Sequence, residues 1–362
     1  MDFSDILNST ETYLKNSVAA NAELIDSDSE ALKKAFVGLE ERSLLALRVP
    51  QKWGGVDMDA ESFYEYQELT ARYSGALGFL QTQHHSATSM LANSDNELLK
   101  SRCLCAIALG ELRLGVGFSH LRRSSSRASL TGNPAVTATP AKDGYLLSGQ
   151  VPWVTGFGLF QKFIVAAVLP DDRAVFGLLP LANIASESGI IACGEIMPLI
   201  AMNSTNTVTV TLTNWWLDES QIISVKPKDW IVENDRKNVL NFVPATFGCI
   251  RAGLDIIEAV AEAKNSDSIA DACQRLENQL DRLKQNFPQS QYNSTAEKLE
   301  LRAKAIDLAV RCGHAAVVVS SGAANSKMHP AGRVYREALV YTVSGQTKDV
   351  MAATLDRLIA SL

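Results

Sequence analysis

The side chains able to do acid–base, redox or binding chemistry are few and scattered. His120 lies in Gly117-Phe118-Ser119-His120-Leu121-Arg122-Arg123, a stretch that continues through serines to Arg127. An imidazole titrates near neutrality, which makes His120 a candidate general acid or base. Arg122, Arg123 and Arg127 form a locally positive loop in an acidic chain. Such a loop suits phosphate groups held by charge-assisted hydrogen bonds, although a solvated loop is the plainer reading. Asp235 is a second candidate base, three residues from Asn238 and able to share its helix face. Acids near a helix N-terminus also simply favour the dipole there. His84-His85, His314 and His329 show no ligand spacing, so no metal site is expected. Cys103-Leu104-Cys105 has the wrong spacing for a redox or zinc pair. The six scattered cysteines read as reduced thiols of a cytoplasmic protein.

Three blocks of sequence must position these groups. Residues 1–112 are rich in Ala, Leu, Glu and Lys and have helical periodicity, interrupted where Pro50 and Gly54-Gly55 force a turn. From 113 to 228 the pattern changes to short apolar runs, Phe163–Leu169 and Ala174–Leu179, separated by Pro170-Asp171-Asp172. In Asn206–Thr213, valine and leucine alternate with threonine, the period of a half-buried antiparallel strand. These runs predict a small β-barrel or sandwich. From 229 to 362 the pattern is helical again, with Leu240, Val243, Phe247, Ile250, Leu254 and Ile257 forming one apolar stripe. Pro244 is expected in the first turn or at a kink. Ser268–Asp271 reads as a capping box, Pro288–Thr295 as a loop, and Ala296–Val319 and Val343–Leu362 as two further helices.

Composition bounds the whole. The chain has 362 residues, 46% hydrophobic and 20% charged, which is ordinary for a globular protein of two or three domains. Its formal charge of −6 argues against nucleic acid or an anionic membrane as partner. No apolar run is long enough to span a bilayer, and the acidic start Met1–Asp5 does not read as a signal peptide.

Several separated stretches resemble the acyl-CoA dehydrogenase family, in order and over essentially the whole chain. Val49–Gly55 resembles the turn "hPxxhGG", Gly144–Thr155 resembles "GYxLxGxKxWITN", and Met328–Ala338 is similar to "YPhxRhhRDA". The resemblance implies an α+β fold of three domains. These are an N-terminal helical domain (1–112), a central antiparallel β-barrel or sandwich (113–228) and a C-terminal four-helix bundle (229–362), with flavin between the last two. It implies that Trp153 packs beside the flavin ring, with Thr155 near the ring's reactive edge. Ser119 keeps a hydroxyl where the family has "hTEPxxGSD", and Gly322 keeps part of "GGxG".

Two family features are missing. The usual catalytic glutamate falls on Gly345, and the second family position for a base falls on Asn238, which cannot take up a proton. The "RxxFG" that grips the pyrophosphate of FAD is replaced by residues 263–268. FAD is therefore the implied cofactor, with weak FAD binding, FMN, or an adenosine end held by other residues as alternatives. The implied activity is flavin-dependent oxidation of a free or carrier-bound acyl thioester by a homodimer or homotetramer. A flavin monooxygenase and a catalytically degenerate binding or structural subunit are the alternatives.

Overall fold

The computed structural model describes residues 3–122, 136–290 and 294–360; Arg123 and Arg127 lie outside them. Six α-helices come first: α1 (Ser4–Tyr13), α2 (Ala22–Ser27), α3 (Ser29–Glu40), α4 (Ala60–Tyr73), α5 (Gly75–Ala92) and α6 (Glu97–Ala108). Side-chain oxygens of Asp28, Asp59 and Ser74 accept from the first turns of α3, α4 and α5, satisfying N–H groups that a helix start leaves bare. Between α3 and α4, the Pro50 segment makes a short 3-10 turn over Gln51–Trp53. Gly54 ends it at φ +84°, a conformation that glycine adopts without steric cost.

A mixed sheet follows, built from β1 (Leu114–Gly117), β2 (Thr137–Ala141), β3 (Gly144–Val154), β4 (Lys162–Val168), β5 (Ala174–Pro180), β6 (Ile184–Ser186), β7 (Gly189–Cys193), β8 (Val208–Asp218) and β9 (Ile222–Lys226). Its order is β6-β7-β8-β3-β2-β4-β5-β9. Most pairs are antiparallel, but β1 and the first residue of β2 run parallel to β4, so the sheet is mixed where pure antiparallel pairing was expected. The reason β4 and β5 read as continuous apolar runs is visible in their packing. Phe163, Val165 and Ala167 enter one core while Ile164 and Ala166 enter a second on the opposite face. A strand covered on both sides has no polar face to alternate.

The chain then returns to helix: α7 (Trp230–Lys237), α8 (Val243–Lys264), α9 (Asp267–Ser290), α10 (Thr295–Ser320), α11 (Pro330–Val343) and α12 (Lys348–Ala360). Helices α8 to α11 pack on one another and α12 lies against α10. Pro244 occupies the first turn of α8, where its missing N–H is harmless. Helix α8 also lies close against α4: a Cβ on Gly248 would stand 2.2 Å from the Glu68 carbonyl oxygen.

Three helix boundaries differ from expectation. Asn265 closes α8 at φ 46° and α9 starts at Asp267, so Ser268 sits inside the helix instead of capping it. Helix α9 extends to Ser290, beyond Pro288. The expected helix from Val343 is interrupted at Ser344–Thr347, where Gly345 takes φ +57°.

Candidate active site

A cleft of about 1380 Å³ opens between the sheet and the helices on both sides of it. Trp153 reaches it from the end of β3. A register shift between Val151 and Val154 leaves both valines in the core and Trp153 facing outward, its surface 45% exposed. Next along the chain, Thr155 is buried and shares a 3.0 Å hydrogen bond with the Thr207 hydroxyl. Two hydroxyls carry two hydrogens and this bond uses one, which leaves the other for a ligand in the cleft. Ser119 also lines the cleft.

On the helical side, Arg122 donates to both carboxylate oxygens of Asp235, at 2.8 and 2.7 Å. Asp235 is the only acid among the described residues of the wall. Asn238, at the end of α7, donates to the main-chain and side-chain oxygens of Asn234. Beneath the α11–α12 break, buried Arg302 donates to the carbonyl oxygens of Val239, Ser344 and Gly345. Burial lowers its pKa to about 10, with Arg122 adding to that and Asp235 opposing it. Gly345 itself lines the cleft with no side chain to offer.

Two sequence candidates lie elsewhere. His120 is turned inward, its Nε2 2.9 Å from the Ala166 carbonyl oxygen, and is not among the cleft-lining residues. A carbonyl only accepts, so Nε2 carries the proton and Nδ1 is a lone pair with no partner among the described residues. Burial pulls this histidine down to about 4, which keeps it neutral. Gly322 lies in the exposed turn after α10, away from the cleft, with nothing within 4 Å of a Cβ built on it. Trp153, Thr155, Ser119 and Asp235 are thus brought together, and His120 and Gly322 are not.

The wall also holds polar residues that the sequence reading did not select. Arg48 precedes the Pro50 turn, Gln67 is on α4, His85 is on α5 and Thr207 leads into β8. His84-His85 is visible in the sequence as a pair, without the spacing of metal ligands. His84 in fact ties the fold together, its Nδ1 accepting from the Leu114 N–H and its Nε2 donating to the Leu45 carbonyl. Among the described residues no cluster could hold a metal ion, and no helix is long and apolar enough to cross a membrane.

No family model matches the chain. A 3-(aryl)acrylate reductase of Clostridium sporogenes is 21% identical over 257 residues, covering 70% of this chain and 66% of that protein. An acyl-CoA dehydrogenase of Bacillus subtilis is 21% identical over 364 residues, covering 95% of this chain and 94% of its own. The solved structure of butyryl-CoA dehydrogenase from Megasphaera elsdenii superposes with a TM-score of 0.76 over 99% of this chain and 100% of that one. Its 16% identity makes this a likeness of fold. The chain thus has the fold of the acyl-CoA dehydrogenases, and its sequence is similar to the Bacillus acyl-CoA dehydrogenase along nearly the full length of both.

Proposed function

We propose that the chain is a flavin-dependent oxidoreductase that acts on acyl thioesters in this cleft. The observation that carries the reading is the charge of the wall. Arg48, Arg122, Lys226, Arg302 and Lys348 line it against Asp235 alone, in a protein whose formal net charge is −6. Cations concentrated in one cleft of an acidic protein suit a polyanion, and both flavin nucleotides and coenzyme A thioesters carry phosphates.

The residues present fit a flavin. An outward indole in a cleft of this size offers a flat apolar wall for a planar ring, and the Thr155–Thr207 pair has a hydroxyl hydrogen to donate. The flavin, when bound, supplies the exchange of hydride with the acyl group. Trp153 orients the ring, Ser119 and Thr155 contact its polar edge, and Arg122, Lys226, Arg302 and Lys348 hold phosphates. FAD is the form proposed, with FMN as the alternative, since Gly322 offers no close approach in a single chain.

Proton removal is where this chain departs from its family. Both oxygens of Asp235 are occupied by Arg122, and Gly345 and Asn238 supply no base. This favours a second reading, a monooxygenase that uses reduced flavin and oxygen and needs no α-proton base. The exposed apolar side chains of α12, Met351, Leu355 and Leu358, recur at helical spacing and support assembly with further copies of the chain.

The deciding experiment loads the protein with FAD or FMN and adds acyl-CoA without oxygen. Bleaching of the flavin absorbance supports the oxidoreductase. No bleaching, but product formation when reduced flavin and oxygen are supplied, supports the monooxygenase. A protein that takes up neither flavin overturns both and leaves a non-catalytic subunit.

A further inference from the structure

One part of the cleft wall gathers polar groups that the flavin reading leaves unused. Phe63 is its centre. The Arg48 guanidinium lies 5.2 Å from the centre of the Phe63 ring, and His85 packs edge-on against the same ring at 5.1 Å. Gln67, one helical turn beyond Phe63, shares its face of α4. Arg48, Gln67 and His85 come from three elements and all line the cleft.

Each is incompletely satisfied. His85 is 2% exposed, and neither ring nitrogen has a hydrogen-bond partner among the described residues. Burial holds its pKa well below the usual value, with His84 and Arg48 adding to that; the nearby Leu44 carbonyl opposes it weakly without completing a hydrogen bond. Gln67 is 5% exposed and its amide makes no hydrogen bond among the described residues. Arg48 donates to the Met58 carbonyl oxygen at 3.0 Å and has no carboxylate within ion-pair distance among the described residues. Buried polar groups are normally paired, so leaving both His85 nitrogens bare is costly unless a ligand completes them, while the Arg48 charge and the Gln67 amide remain open toward the cleft.

The chemistry of that ligand follows from the donors. A full positive charge, an amide N–H and a neutral imidazole N–H are all satisfied by one acceptor group that carries negative charge. A saturated alkyl end would leave Gln67 and His85 unpaired and the Arg48 charge without a counterion, and a hydroxyl would still leave that charge unbalanced. Phe63, Tyr64, Phe79 and Met90 supply apolar contact for a methylene chain in the same cleft.

The geometry points to a specificity site for an acyl group that ends in a carboxylate, so that the preferred substrates are half-thioesters of dicarboxylic acids. This rests on the acyl-thioester reading and narrows it.

The test is calorimetric binding to the flavin-loaded protein, which needs no turnover. Succinyl-CoA is compared with butyryl-CoA, and adipoyl-CoA with hexanoyl-CoA, so that each pair differs only at the chain end. The acid-ended member of at least one pair is expected to bind about tenfold tighter or more. In Arg48→Met and in Gln67→Met that ratio falls towards one, and in Arg48→Lys it partly returns. Gln67 makes no side-chain hydrogen bond among the described residues, so its variant tests the site without depending on Arg48. Equal binding within both pairs, or a preference that survives both Arg48→Met and Gln67→Met, overturns the site while leaving the acyl-thioester reading intact. Failure of all four thioesters to bind overturns that reading as well.

Discussion

Three histidines are enclosed in this fold without a carboxylate beside them, and the enclosure holds each of them neutral. Burial lowers His84 and His120 to about 4, and His85 lies well below its usual value. In the unfolded chain they titrate near the ordinary value of 6.5. Between that value and about 4 the unfolded state binds more protons, so stability is complete above pH ~6.5 and is lost as the pH falls. By about pH 5 the loss is on the order of 2 kcal/mol for His84 and for His120. The urea midpoint is expected to drop steeply from about pH 7.5 to about pH 5. His120→Gln, which keeps an N–H for the Ala166 carbonyl, should make that drop shallower by about 2 kcal/mol of unfolding free energy; an unaltered pH profile would show that His120 does not contribute. Trp153 is tested separately. It is largely outward-facing, so Trp153→Ala should leave folding intact while raising the flavin dissociation constant about tenfold, or ~1.4 kcal/mol, with Trp153→Phe in between. Unchanged flavin affinity in Trp153→Ala would remove the indole from the site.

At the scale of elements, the sequence was readable where one element carries its own pattern. The threonine–valine alternation of β8 places Val208, Val210 and Leu212 in the core, and Pro244 marks the first turn of α8. It misled where a pattern runs across a break. Apolar spacing continues from Val343 into α12, but the backbone turns at Gly345, and nothing in the periodicity reports a positive φ. Motif order located Trp153, Thr155 and Ser119. Arg48, Gln67 and His85 were not recognised because they meet only after α4 and α5 pack together, and each alone looks like an ordinary polar residue. The same break governs what can be engineered. A Cβ on Gly345 would stand 2.7 Å from the Phe242 ring at a φ that side chains rarely adopt. Placing a carboxylate there by Gly345→Glu should therefore cost roughly 1–3 kcal/mol in denaturant titrations and bring little or no dehydrogenase activity. Gly345→Glu with Phe242→Ala relieves the clash but not the backbone strain, and should regain part of the lost stability. Wild-type stability in the single variant would show that the loop accommodates the side chain.

For the molecule as a whole, the distribution of charge matters more than its sum. A surface with a formal net charge of −6 repels anions at long range, while the cleft gathers Arg48, Arg122, Lys226, Arg302 and Lys348. Anion capture then depends on the local field within the cleft, whose walls exclude water and strengthen it, and this field is screened over about 10 Å at ~0.1 M salt. Lys348 is exposed and Lys226 partly so, which makes their contributions the most sensitive to screening. Flavins of different charge separate this effect from stacking on Trp153, because riboflavin has the ring without a phosphate, FMN adds one and FAD adds two. Raising salt from about 50 mM to about 300 mM should weaken FAD and FMN several-fold and leave riboflavin nearly unchanged. Lys226→Ser together with Lys348→Ser should flatten the salt dependence of FAD without altering riboflavin affinity. If riboflavin shows the same salt dependence as FAD, phosphate recognition is not what these cations do. If all three flavins bind equally well at every salt concentration, the ring alone holds the cofactor, and the cleft charge is then left to serve the anionic substrate.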